Sequence, residues 1–462
     1  MPEVVSMGKY KPYPSYKDSG VEWLGDVPEN WQLNKLRYCF SFSKGLTITK
    51  ANLQDDGIPC VNYGEVHSKF GFEVDTDRHS LKCVNSEYLE SSKGSLIHEG
   101  DFVFADTSED LEGSGNFTQL ISKEPIFAGY HTIIARPVGC NDKRYLAYSI
   151  DSMQFRTQIQ LMVKGVKVFS ITQAILKNAS LWLPSFLEQK SIAHFLDQET
   201  GKMDLLIEKQ QAMIALLKEK RQAVISHAVT KGLNPNSPLK DSGIKWLGQI
   251  PEHWELSNLR YIFKFGKGLT ITKVNLQDEG IPCVSYGEVH SKFGFEVSTE
   301  KHHLKCVSRD FLDTSKFALL KQGDFVFADT SEDFEGAGNF THVSSSSLIF
   351  AGYHTIIAKQ IYEHNYRFLA YVMDSTVFRT QIQLAVKGVK VFSITQAILR
   401  AATIWLPEVE EQEEIASYLD SQTQKIDTLI EKSQQAIALL KERKTALISA
   451  AVTGKIDVRG FN

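Results

Sequence analysis

Long apolar runs are missing from the 462 residues: no stretch of about 18 consecutive apolar residues occurs, so no membrane-spanning helix is expected. The amino terminus, MPEVVSMGKYKPYPSYKDSG, has no continuous apolar segment either. It is not expected to be a signal peptide and reads as a short extension rich in Pro and Tyr. Cysteine is scarce, and the six residues at 39, 60, 83, 140, 283 and 306 form no C-x-x-C pair. That density and spacing fit neither a disulfide framework nor a zinc site, so reduced, mostly buried thiols in a cytoplasmic protein are expected. A surplus of positive charge is absent too. The formal net charge of −4 excludes coating of nucleic acid by bulk electrostatics and leaves local basic patches open. What is present, 42% hydrophobic and 23% charged residues, belongs to a globular protein with real cores. The length suits roughly two to four domains.

The chain is written twice. FADTSEDLEGSGNF (104–117) returns as FADTSEDFEGAGNF (327–340), an offset of 223 residues. At that offset DSGVEWLGDVPENW (18–31) answers DSGIKWLGQIPEHW (241–254), and residues 46–74 differ from 269–297 at only three positions. FAGYHTIIA recurs at 127 and 350, and VKGVKVFSITQAIL at 163 and 386, with no insertion or deletion between them. Such a period is too long for a solenoid or propeller, whose repeats run roughly 20–50 residues, and means two domain-sized copies with approximate two-fold symmetry.

Each copy has two parts. The first, about 20–184, alternates short β-rich runs (GDFVFA, HTIIA, VKVFSI) with Gly, Asn, Asp and Ser clusters, and RYLAYSIDSMQFRTQIQLMV within it reads as one helix. A compact α+β globule is expected. The second part, from 186, runs to about 231 without proline; Pro184 and Pro407 fit helix entry, and KGLNPNSP supplies an exit. Apolar residues recur there in alternating steps of four and three: Met203, Ile207, Ile214, Leu217, Val224 and Ala228, with Gln210 and Arg221 at polar steps. The second copy gives Ile426, Ile430, Ile437, Leu440, Leu447 and Ala451, with Ser433 and Lys444. This is a coiled-coil seam. Neither helix can bury it alone, so the two are expected to pair, antiparallel by the two-fold relation, with the polar steps helping to fix register. Two independent amphipathic helices docked on their own globules are the alternative.

The expected plan is therefore an extension (1–19), a globule (20–185), a helical spacer (186–232), a linker (233–240), a second globule (241–408), a second spacer (409–455) and a tail (456–462). A seam of about 28 helical residues would span roughly 42 Å. That matches about 12 base pairs of duplex, near the turn-to-turn spacing of paired DNA half-sites.

In this arrangement the sequence resembles the specificity (S) subunit of type I restriction–modification systems. The motifs that carry the resemblance are DSGVEWLGDVPENW, KGLTI with GIPCVNYGEV, GDFVFADTSE, AGYHTIIARP and LWLPSFLEQKSIAHFLD. The long helix ends in ISHAVTKG, and the second copy contributes IWLPEVEEQEEIASYLD and ISAAVTGKIDVR. The resemblance implies two target recognition domains, each reading one half of a bipartite double-stranded DNA target, with the helices as spacer and as docking surface for two methyltransferase (M) subunits. Nuclease–translocase (R) subunits would join the larger complex. S-adenosylmethionine and ATP would belong to those partners and no cofactor to this chain. In keeping with a non-catalytic subunit, neither an Asn/Asp-Pro-Pro-Tyr motif nor a G-x-x-x-x-G-K-[ST] phosphate loop occurs. Recognition domains of such subunits usually differ from each other; near-identical ones imply a target of inverted-repeat form.

Base reading needs paired donors and acceptors, and phosphate contact needs Lys, Arg or exposed amides. NYGEVHSKFGF offers Tyr63, Glu65, His67 and Lys69, matched by Tyr286, Glu288, His290 and Lys292, alternating as on one face of a strand; a solvated sheet face would look the same. In the duplicated loop Thr107, Ser108 and Asn116, with Thr330, Ser331 and Asn339, are candidates for bases or phosphates. Its acids Asp106, Glu109, Asp110 and Glu112 could accept from a cytosine amine or hold a divalent metal, although the spacing is not that of an EF-hand. Lys44 and Lys267, and Arg156, Lys164 and Lys167 with Arg379, Lys387 and Lys390, are candidate phosphate contacts. Tyr130 and His131, with Tyr353 and His354, precede an apolar strand and are expected to pack in the core. Two rivals remain at this stage: a two-headed scaffold for non-DNA partners, and a metal-dependent nuclease using the loop carboxylates.

Overall fold

The structure, a computed structural model, describes residues 10–21, 24–165, 167–388 and 391–461. Two compact units result, Met1–Gln211 with Gln434–Asn462, and Ala212–Ser433. They do not follow the linear plan: each long helix is divided between them.

In the first unit a five-stranded sheet has the order Phe40–Lys44, Thr132–Pro137, Phe102–Ala105, Phe117–Leu120, Phe72–Val74, antiparallel except for its last pair. The run Phe102–Ala105 is apolar throughout because the central strand is covered on both faces. Phe102 and Phe104, with Phe117 and Ile133, point to the helical side, whereas Val103 and Ala105, with Ile134, point to the other. A four-stranded sheet, in the order Cys83–Val84, Ile58–Val61, Ile126–Ala128, Leu96–Ile97, contains a parallel pair, Ile58–Val61 with Ile126–Ala128. The second unit repeats both sheets in the same order. The glycines of KGLTI and FAGYH meet: a Cβ on Gly45 would lie 2.1 Å from the Gly129 carbonyl oxygen, and one on Gly129 would lie 1.9 Å from Asn62 Oδ1. Only glycine fits either position.

The segment read as one helix is two, Lys143–Asp151 and Met153–Met162. Ser152 between them is extended (ψ 150°), its hydroxyl donating to the Ser149 carbonyl and accepting from the Phe155 amide. A serine that caps its own downstream helix outcompetes helix propagation. Ser375 does the same in the second copy.

The long helices run Phe186–Lys231 and Val409–Val452. Every expected seam position is buried or half-buried, and the intervening positions from 204 to 216 are exposed. The pairing is antiparallel. In the first unit Lys444 Nζ donates to both carboxylate oxygens of Asp204 at 2.7 Å, and Met203, Leu447 and Ile448 share one core. In the second, Arg221 reaches Asp427 (3.3 Å) and Asp374 (3.1 Å). The polar steps thus carry the register contacts.

Neither the described part of the amino-terminal extension nor the tail is an appendage. Tyr10 and Tyr13 are buried, Tyr13 donates its hydroxyl to Glu188, Lys11 bridges Asp457, and the Tyr10 and Phe195 rings both contact Phe461. Cys39, Cys60, Cys83, Cys283 and Cys306 are buried free thiols; Cys140 is free and exposed. Burial pushes Cys39 up to about 11 and Cys60 and Cys283 up to about 12, which keeps them protonated at neutral pH.

Two predictions follow from the packing. The Arg221 guanidinium is largely buried against a buried Asp374, whereas the Lys444–Asp204 pair is half solvated. Arg221→Met is expected to cost about 1–3 kcal/mol and Lys444→Met less than about 1 kcal/mol, measured by urea unfolding. Among the core positions at which the two copies differ, Gln119 in the first is replaced by His342 in the second. His342 donates from Nδ1 to the Phe295 carbonyl (2.6 Å), has no partner at Nε2, and is pulled down to about 4, chiefly by burial. The unfolded chain therefore binds this proton more readily. Stability is full above about pH 6.5 and falls by about 3 kcal/mol as pH drops to about 4. His342→Gln, copying the first unit, removes that loss in pH-dependent unfolding.

Candidate nucleic-acid interface

In the second unit a cleft of about 790 Å³ opens where four segments end side by side: Lys267–Ile271, Asp329–Thr330, Tyr353–Ile356 and Ser393–Ala397. One residue ties three of them together. The Asp329 amide donates to the His354 carbonyl (3.2 Å), and the Asp329 carbonyl accepts from the Ile394 amide (2.8 Å). Asp106, His131 and Ile171 make the same two bonds in the first unit, at 3.1 and 2.8 Å. All 16 residues lining the cleft recur unchanged in the first copy, at 44–48, 106–107, 130–133 and 170–174. Another cleft has drifted. Of 12 residues lining another cleft of the first unit, around Asn30, Cys140 and Ser185, only Tyr38, Leu183, Pro184 and Gln189 are kept.

His131 and His354 are not core residues, contrary to the sequence expectation. Both are exposed, with left-handed backbone (φ 54° and 53°), and each sets Nδ1 beside a carboxylate, 3.2 Å from Asp106 and 3.3 Å from Asp329. Tyr130 and Tyr353 beside them are half-buried. Lys267 and Thr330 line the cleft, and Lys44 and Thr107 hold the matching positions in the first unit, the lysines exposed at the strand ends and the threonines half-buried.

The segment read as a strand is helical, Glu65–Lys69 in the first copy and Tyr286–Ser291 in the second. Tyr63, Glu65, His67 and Lys69 therefore do not share one face. Glu65 turns back to accept from the Asn62 amide, and Glu288 from the Ser285 amide, each at 3.1 Å. This is a capping box, and S-Y-G-E in the second copy carries its S-x-x-E signature. Tyr63 and His67, four residues apart, do meet (ring centroids 5.3 Å), as do Tyr286 and His290. Burial, then Glu109, Asp110 and Asp106, raise the Tyr63 phenol above its ordinary value, so it stays a neutral donor; Tyr286 is raised likewise. Lys69 and Lys292 are exposed and only loosely paired, at 3.8 and 3.7 Å from Glu65 and Glu288.

Within the duplicated loop several candidates face inward. Ser108 and Ser331 are fully buried; their hydroxyls donate to the carbonyls of Asp110 (2.6 Å) and Asp333 (2.7 Å) and contact Nε2 of His67 (3.2 Å) and His290 (3.1 Å). Asn116 donates to the His67 carbonyl and accepts from Arg156, which also holds Asp151. Asn339, His290, Arg379 and Asp374 repeat the chain of contacts. These serines, asparagines and arginines brace the loop from behind and leave its outer rim to other residues. The need to satisfy polar groups under a long loop explains why so many Ser, Asn and Asp recur there. Asp110 and Asp333 accept from the amides of Gly113 and Gly336, closing the loop, and among the described residues no group of three or more His, Cys, Asp or Glu could hold a metal ion. Lys164, Lys167 and Lys387 are exposed; Lys390 lies outside the described residues.

Comparison with known proteins matches the family model of a type I restriction modification DNA specificity domain twice, at residues 28–214 and 251–439. Over 441 residues the chain is 24% identical to the type I restriction enzyme MjaVIII specificity subunit of Methanocaldococcus jannaschii, covering 94% of this chain and 95% of that protein. Over 450 residues it is 23% identical to the type I restriction enzyme EcoKI specificity subunit of Escherichia coli K12, covering 94% of this chain and 91% of that protein. Its fold is similar to that of a chain solved in work on assembly and conformational transition of the type I R-M system, with a TM-score of 0.63 and 15% identity over 93% of this chain and 99% of that one. With both copies matched over nearly their full length, the chain belongs to the type I restriction–modification DNA specificity family and is a specificity subunit with two target recognition domains.

Proposed function

We propose that each cleft receives one half of a bipartite duplex target, and that the two halves are the same sequence in inverted orientation. The observation that carries this reading is the unchanged lining of the cleft in both copies, set against the drift of the other cleft and of the helix starts. A duplication kept only by its youth scatters differences over all surfaces. A surface held to one ligand does not.

The two long helices set the unspecified gap between the half-sites and receive methyltransferase subunits, with nuclease–translocase subunits joining them. Methyl transfer from S-adenosylmethionine and the use of ATP are then the work of those partners, in the cytoplasm, and this chain supplies recognition alone. No helix among the described residues is long and apolar enough to cross a membrane. The first turns of the helices differ: exposed Leu187, Lys190 and His194 become Glu410, Glu413 and Ser417. The two docking faces for partner subunits are therefore unequal although the reading clefts are equal.

Phosphate contacts fall to Lys44, Lys267 and the exposed Lys164, Lys167 and Lys387, where a neighbouring glycine lets the cations approach the duplex. Neutralising one phosphate contact lowers the slope of log K against log salt by about 1. Lys44→Ala and Lys267→Ala are each expected to do so in filter binding by the complex with its methyltransferase partners. The sequence of the target is read most simply from host DNA. Methylation-sensing sequencing is expected to return a half-site, a gap and the reverse complement of that half-site; two unrelated half-sites would contradict the reading.

A further inference from the structure

We infer that His131 and His354 are the residues with which the two clefts read a base edge, each held for that purpose by its aspartate, Asp106 or Asp329. The inference rests on the proposal that the clefts take duplex DNA, and goes beyond it by naming the specificity-determining side chain and the group it recognises.

Four observations converge on this pair. Both histidines hold left-handed backbone, a conformation that costs a residue with a Cβ free energy and that glycine would adopt without strain. Their side chains are 62% and 64% exposed, so packing in the core does not repay the cost. The ring is nonetheless oriented, because Nδ1 faces a carboxylate whose own residue is bonded on both sides of its backbone, to the histidine carbonyl and to the amide of Ile171 or Ile394. Finally, the pair borders a cleft lining that both copies keep whole, beside Lys267 and Thr330 in the second unit. Strained, exposed and oriented side chains are features of functional sites, where the surrounding fold over-determines the geometry.

The chemistry follows from the ring. With Nδ1–H donated to the aspartate, the neutral imidazole keeps Nε2 on its far edge as an acceptor. An acceptor in the major groove selects the exocyclic amine of adenine or cytosine, and rejects the keto oxygen of thymine or guanine at that position. The aspartate is a positioning residue, fixing tautomer and tilt.

The test uses the full chain with its methyltransferase partners. Binding is measured to a duplex carrying the host's methylated motif, to duplexes changed at single positions of one half-site, and to a duplex without the motif. His131→Asn tolerates the same backbone, and His131→Gly relieves its strain. Both are expected to fold and to lose about tenfold or more of the discrimination at one A·T or C·G pair in one half-site, with binding to the motif-free duplex and its salt slope unchanged. Adding His354→Asn extends the loss to the symmetric position, and Asp106→Asn gives a smaller loss at the same pair as His131→Asn. Unaltered discrimination in His131→Gly overturns the assignment and leaves a turn residue. An equal loss on every duplex with a shallower salt slope overturns it in favour of a phosphate contact. A wild-type complex with no preference for the motif removes the DNA reading of the clefts, and this assignment with it.

Discussion

The structure depends on a seam that neither long helix can bury by itself. Each helix is polar on most of its surface and carries one narrow apolar stripe, so the stripe has to be covered by its partner. The contacts that settle direction are ionic. Asp204 takes Lys444 in the first unit, and Asp427 takes Arg221 in the second. The first compact unit is completed by a segment more than 200 residues away, Gln434–Asn462, whereas the second is continuous and takes in the end of the first long helix, Ala212–Lys231. A cut between residues 232 and 240 would follow the linear plan and still leave both units short of a core element.

On that frame the same globule is written twice, and the two copies have diverged unevenly. Core changes such as Gln119 to His342 alter stability without altering the cleft. Changes at the helix starts alter exposed side chains such as Leu187 and Lys190. The cleft itself is untouched. Its parts come from four separated segments, three of them gathered by one aspartate backbone, and this accounts for the unchanged repetition of short motifs scattered through the sequence (KGLTI, FADTSED, AGYHTIIA, FSITQA).

Much of this was legible in the sequence. The repeat, the extent of both long helices and every seam position follow from period and spacing, which report directly on which side chains can share a face. The break at Ser152 was hidden because a helix-compatible apolar pattern continues across it; only the serine's capping chemistry gives it away. The helical turns at 65–69 and 286–291 read as strands because apolar and polar residues alternate over too short a span to tell the periods apart, although S-Y-G-E at 285–288 marks a helix start in the second copy. The sequence places Ser108 and Asn116 on one loop and sets Arg156 apart as a phosphate contact, yet the three meet and point inward, and burial of a polar side chain against a long-range partner such as the His67 carbonyl leaves no local trace. His131 was the reverse case. Nothing in the pattern AGYHTIIA separates a strand-leading core residue from a strained one at a rim, since the left-handed backbone is imposed by the loop carrying Asp106.

The central claim is that both target recognition domains present one and the same reading surface. It is tested most directly by a chain in which residues 28–184 are replaced by residues 251–407, leaving the helices, the amino-terminal segment and the tail in place. Expressed with its methyltransferase and nuclease partners in a host lacking its own system, this chain is expected to place methyl groups in the motif of the parent, unchanged in both half-sites and in gap. A motif altered in one half-site would show that the two copies read different sequences, and would contradict the account.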